Sequence, residues 1–153
     1  MSDAGTREIL RALVHGSGIC LDESRYEDFV ALFADDGTYR MTAATPELGA
    51  TQTWLAFDRD ELARHFTSIP EHHWPLGQTT RIVSVDAIEL EDGEASTLAT
   101  FCILRNDDEG RTACYAVGRY RDRWRNDGTD WRIVERVVDL RTRLLPAPAP
   151  IPL

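Results

Sequence analysis

The sequence predicts an α+β domain, with helices first and a curved antiparallel or mixed sheet after them, on three observations. Up to about Ile69, apolar residues recur at the three-to-four spacing of amphipathic helices. Beyond Pro75 the period falls to two, in four long runs. Those runs are parted by Asp92-Gly93, by Asn106-Asp107-Asp108-Glu109-Gly110 and by Asn126-Asp127-Gly128, all of hairpin-turn composition. A chain of 153 residues is expected to build one core, and helices followed by strands segregate into layers.

The first helix is expected over residues 6–21, with Ile9, Leu10, Leu13, Val14 and Ile19 on its apolar face and Gly16 and Gly18 weakening its end. Ser24-Arg25-Tyr26-Glu27 reads as a capping box, the Ser24 hydroxyl accepting from the third helical amide while Glu27 reaches back. The helix it opens should turn Tyr26, Phe29, Val30, Leu32 and Phe33 inward and stop at Asp35-Asp36-Gly37, where glycine would supply a positive φ. Short strands are expected over 38–42 and around 53–55. Asp58-Arg59-Asp60-Glu61 repeats the capping logic for a third helix that carries Leu62, His65, Phe66 and Ile69 and is ended by Pro70. The four runs, at about 79–90, 94–105, 112–125 and 131–141, should form a meander, and strands so long must coil or bulge around the helices. The cone-shaped domain would occupy residues 1–142. Residues 143–153 form a tail with proline at 146, 148, 150 and 152, extended and either flexible or laid along a partner.

A net charge of -9 argues against nucleic-acid phosphates or an anionic membrane surface as partners. No window approaches the ~18 apolar residues of a membrane span, and the first residues lack the basic and apolar segments of a signal peptide, so a cytoplasmic protein is expected. Cys20, Cys102 and Cys114 share no C-x-x-C spacing and sit in apolar contexts, which predicts buried free thiols; a Cys102–Cys114 pairing would require neighbouring strands. Every basic residue is arginine, which reflects coding bias more simply than chemistry.

Three segments carry a resemblance: Tyr26-Glu27-Asp28-Phe29-Val30-Ala31-Leu32-Phe33-Ala34-Asp35-Asp36-Gly37-Thr38-Tyr39-Arg40; Gly118-Arg119-Tyr120-Arg121-Asp122-Arg123-Trp124; and the stretch from Trp131 to Leu140, followed by an ending in Pro152-Leu153. With the element order, they resemble the small (beta) subunit of bacterial aromatic-ring-hydroxylating dioxygenases, within the nuclear transport factor 2-like, cystatin-like cone superfamily. The resemblance implies helices packed in the concavity of a curved sheet. It also implies a non-catalytic structural subunit that supports a large (alpha) subunit in aromatic compound degradation, self-associates as a trimer and enters a mixed hexamer. The Rieske iron-sulfur cluster and mononuclear iron are then expected in the large subunit, and no cofactor in this chain.

The residues themselves leave an alternative open. Cone-fold dehydratases, isomerases and cyclases move a proton with an Asp or His in an apolar pocket. Asp35, Asp36, His65, His72 and His73 are this chain's candidates, with Tyr39 and Tyr115 as hydrogen-bond donors. Glu71-His72-His73 is the densest donor cluster, but adjacent residues diverge and the His-x-x-x-His spacing that converges two imidazoles is missing, so no metal site is expected. The strand from Arg119 to Arg125 alternates, with arginines on one face and Tyr120, Asp122 and Trp124 on the other. Arg132 and Arg136 should alternate likewise. This ladder is either a solvated face paired with acidic side chains or a subunit interface built from Arg119, Arg121, Arg123, Trp124, Arg132 and Arg136.

Overall fold

The computed structural model describes residues 2–69, 77–145 and 152–153. Helix α1 spans Asp3–Asp22, and the Ser2 side chain accepts from the Gly5 amide at its start. It begins earlier than expected and runs unbroken through both glycines. Gly18 is buried, and a Cβ placed there would already be in van der Waals contact with Arg81 and Val83, so a small residue brings this helix close to the sheet. Helix α2 is one short segment, Tyr26–Ala31. The expected capping box does not form, because Ser24 adopts φ 58 and Arg25 stands at the N-cap with no side-chain bond to the helix amides. Helix α3, Arg59–Ser68, does have its capping box: Asp58 and Glu61 each accept the other's amide at 2.8 Å.

Six strands follow one order in a single curved sheet. They are β1 (Phe33–Thr45), β2 (Ala50–Asp58), β3 (Gln78–Glu91), β4 (Glu94–Asn106), β5 (Thr112–Asn126) and β6 (Trp131–Leu140), with a 3-10 turn at Pro46–Leu48. Across the sheet the order is β2-β1-β6-β5-β4-β3. The four long runs therefore form the expected meander, and β1 closes it by lying parallel to β6, which makes the sheet mixed. Every strand pair carries a register shift, the means by which strands of 9–15 residues bend around a core.

Phe33 and Asp35-Asp36-Gly37 are not the end of a helix. They belong to β1, where the register jumps from Phe33–Ile133 to Thr38–Glu135 and the intervening residues bulge out. Gly37 is required there by crowding: a Cβ would sit 2.8 Å from the carbonyl oxygens of Ala34 and Ile133. The concave face collects Leu10 and Val14 of α1, Phe29 of α2, Leu62 and Phe66 of α3, and Phe101, Tyr120, Trp124, Ile133 and Val138 of the sheet. Phe29 meets Phe33 and Phe66 edge to face at 5.5 and 5.7 Å, joining the short helices to the sheet.

Candidate functional site

Among the described residues one ion pair is wholly interior. Asp122 on β5 and Arg136 on β6 are directly paired in register and both side chains are completely buried. Arg136 donates from Nε to Asp122 Oδ1 at 2.8 Å and from Nη2 to Oδ2 at 2.7 Å, while Nη1 donates to Ser17 Oγ of α1 at 2.9 Å. Ser17 in turn donates to the Val14 carbonyl at 2.7 Å. The guanidinium also lies 4.6 Å from the centre of the Tyr120 ring, which stacks on Phe101 at 4.4 Å. Burial works against the charged guanidinium, but the attraction and hydrogen bonds of Asp122 outweigh it and raise the Arg136 pKa. Among the described residues Asp122 is the only buried carboxylate. Both oxygens of this carboxylate are committed to the arginine and neither is open to solvent.

This corrects the expected arginine surface. Arg119, Arg121 and Arg123 do lie on the outer face of β5, with Arg121 3.8 Å from Asp139 and Arg123 3.8 Å from Glu135. Arg132 is partly exposed and donates to the Ala31 carbonyl at 2.7 Å and to Asp130 at 3.1 Å. Trp124 and Arg136, by contrast, are 1% and 0% exposed and belong to the core. Trp124 donates from Nε1 to Thr97 Oγ1 at 3.0 Å. The phase of β6 changes because its register slips between the Arg123–Glu135 and Trp124–Ile133 pairs, turning Arg136 inward while Arg132 stays out.

Among the described residues the acid–base candidates do not converge. Asp35 is exposed and pairs with Arg59 at 2.9 Å. Asp36 is exposed and accepts from Arg125 at 2.6 and 3.2 Å, which holds its carboxyl below the usual carboxylate range. His65 is half-buried on α3, stacked on Phe57 at 5.1 Å. Tyr115 lies under the Arg105 guanidinium, and burial pushes its hydroxyl upward. Tyr39 is 1% exposed and donates to the Leu153 carbonyl oxygen at 3.2 Å; burial raises its pKa far above the ordinary tyrosine value. Glu71, His72 and His73 lie outside the described residues. Among the described residues no three His, Cys, Asp or Glu side chains gather where a metal ion would need them.

The thiols also differ from expectation. Cys20 is buried, but Cys102 is half-buried and Cys114 exposed, their sulfurs 3.7 Å apart on the adjacent strands β4 and β5. At the end of the tail Pro152 and Leu153 are buried, and Leu153 packs in this chain's own core.

The SnoaL-like domain model matches residues 3–137, nearly the whole of the α+β unit just described. The chain belongs to the SnoaL-like domain family. It is also similar to the methanesulfonate monooxygenase hydroxylase subunit beta of Methylosulfonomonas methylovora. The two are 26% identical over 149 residues, which is 90% of this chain and 82% of that protein. It is 25% identical over 126 residues to the 2-aminobenzenesulfonate 2,3-dioxygenase subunit beta of an Alcaligenes species, covering 82% and 84% of the two chains. Its fold is that of a Novosphingobium aromaticivorans protein assigned as the beta subunit of an aromatic-ring-hydroxylating dioxygenase. That superposition has a TM-score of 0.84 and covers 97% of each chain at 22% identity. No helix among the described residues is long and apolar enough to cross a membrane.

Proposed function

We propose that this SnoaL-like chain is the non-catalytic beta subunit of a Rieske-type oxygenase acting on an aromatic or sulfonated compound. The observation that carries the proposal is end-to-end similarity to two beta subunits, each covered over more than four fifths of its own length. The interior agrees with a supporting role, since its buried carboxylate is taken up by Arg136 and, among the described residues, the stand-alone enzyme's candidates are scattered. In this reading the large alpha subunit holds the iron-sulfur cluster and the mononuclear iron. This chain stabilises a cytoplasmic assembly, and trimeric self-association sets its symmetry.

The outer face of β5 is the contact surface we assign to a partner subunit. Arg121 and Arg123 are 52% and 63% exposed in their side chains, with Arg119 on the same face of β5 and Arg132 opposite Arg125 on β6. Two measurements test the proposal. Purified from its own host, the chain should elute with an iron-containing large chain, and recovery without such a partner would count decisively against the reading. The double variant Arg121→Glu, Arg123→Glu should fold normally and lose that co-elution; retained assembly would move the interface elsewhere.

A further inference from the structure

The most unusual contact in the molecule joins residues more than a hundred positions apart. Leu153 is 2% exposed and part of the hydrophobic core, and its main-chain oxygen accepts from the Tyr39 hydroxyl at 3.2 Å. The preceding carbonyl, that of Pro152, lies 3.5 Å from Arg81 Nη2. Both donors are fixed. Tyr39 is buried on β1. The Arg81 side chain is 2% exposed on β3 and anchored from α1 by Asp22, which it meets at 2.5 Å and which also accepts from the Arg81 amide at 2.7 Å.

The chemistry of the two sides is matched. The wall offers donors, the Tyr39 hydroxyl and the Arg81 guanidinium, and the segment offers successive carbonyl oxygens. Its proline carries no amide N–H, so that residue brings no donor to be left unpaired among other donors. Two polar atoms nearby, Arg81 Nε and the Tyr120 hydroxyl, are buried and neither is used by the segment. The electrostatic environments of Tyr39 and Tyr120 each include the other's neighbours Arg81 and Arg136, which places these groups in one cluster. Fixed donors set beside apolar core side chains make a surface suited to carbonyl oxygens attached to an aliphatic body.

We propose that the concave interior of this chain is a peptide-binding site whose ligand class is a proline–aliphatic segment, and that the chain fills it in cis with its own Pro152–Leu153. Occupancy clasps β1 to β3, opposite halves of the sheet whose edges are not hydrogen-bonded to each other. The site is independent of the oxygenase reading, and no large subunit enters its test.

Deleting Pro152 and Leu153 should lower Tm by about 4–8 °C, the scale set by exposing one buried leucine in a chain of this size. Millimolar N-acetyl-Pro-Leu should then raise the Tm of the shortened chain saturably and leave the full chain unmoved, since a ligand stabilises only a vacant site. Tyr39→Phe in the shortened chain should weaken that rescue. An unchanged Tm on deletion overturns the proposal, as does an equal response of full and shortened chains to the dipeptide. Should the shortened chain not fold, Leu153→Ala in the full chain serves instead: a lowered Tm partly restored by the dipeptide supports the site, and an unchanged Tm refutes it.

Discussion

The two faces of β5 are built from alternate residues of one strand and are held by opposite physics. Outward, Arg121 and Arg123 face Asp139 and Glu135 at 3.8 Å, more than a third of each side chain's surface still open to water in the case of the arginines. Inward, Asp122 meets Arg136 at 2.7–2.8 Å with no water contact. In water the outer pairs gain little, because solvent screens them and holding long side chains in place costs entropy. The inner pair has lost its hydration and is bound to its geometry. The same residue types therefore make the outer face adaptable and the inner face specific.

The sharpest way to break that comparison is to remove one inner partner. Asp122→Ala leaves a buried guanidinium without its counter-charge and should cost about 3–5 kcal/mol, measured by urea unfolding. Replacing both groups, as in Asp122→Leu with Arg136→Met, should recover most of that loss, since a well-packed apolar pair is often as stable as a buried ion pair. A double variant as unstable as the single one would mean that Ser17 and the ring of Tyr120 depend on the guanidinium as much as Asp122 does.

Next in size is an effect expected in the opposite direction. The Tyr120 hydroxyl is buried without a hydrogen-bond partner among the described residues, so Tyr120→Phe removes an uncompensated polar atom while keeping the stack on Phe101. Stability should stay within about 1 kcal/mol of the parent or rise. A loss well beyond that would show that the hydroxyl is satisfied, by Arg81 or by a water molecule.

How far the two faces were legible in the sequence follows from the period of a strand. Alternation from Arg119 to Arg125 separates the faces of β5 correctly, and Gly93, Gly110 and Gly128, with φ of 75, 80 and 96, turn the chain where hairpin composition said they would. Alternation alone misplaces Arg136. Counting back from the Asn126–Trp131 pair without a bulge sets Asp122 opposite Glu135; one extra residue in β6 brings Arg136 there instead. A bulge leaves no mark in the hydrophobic pattern until the register of both strands is known. Asp35-Asp36-Gly37 misled for a related reason, as a turn-like composition serves a bulge in β1 as well as a helix end. The contact of Tyr39 with Leu153 spans 114 positions, and no local signal reports it; the Pro152-Leu153 ending was visible, its place in the core was not.

The outer face should tolerate what the inner face does not. Arg121→Ala and Arg123→Ala should each change stability by less than about 1 kcal/mol, and the change should shrink further in 0.5 M salt, where screening shortens the reach of charge. A larger effect in the isolated chain would assign these arginines a role in the fold itself rather than at a subunit contact.

The smallest expected effect reads one exposed pair directly. Asp36 is held below its ordinary pKa chiefly by hydrogen bonding from Arg125, against an opposing contribution from desolvation. A depressed carboxylate stabilises the fold above its unfolded pKa, and that contribution fades as the pH falls through the folded value. Titration of the Asp36 side-chain carbon by NMR should therefore give a low midpoint in the parent, and Arg125→Ala should move it up toward that of a free aspartate. Because both partners lie at the surface, global stability should scarcely follow. If stability near pH 4 did fall with Arg125→Ala, the pair would be locking the β1 bulge onto β5, and the outer face would share the specificity that the buried pair gives the inner one.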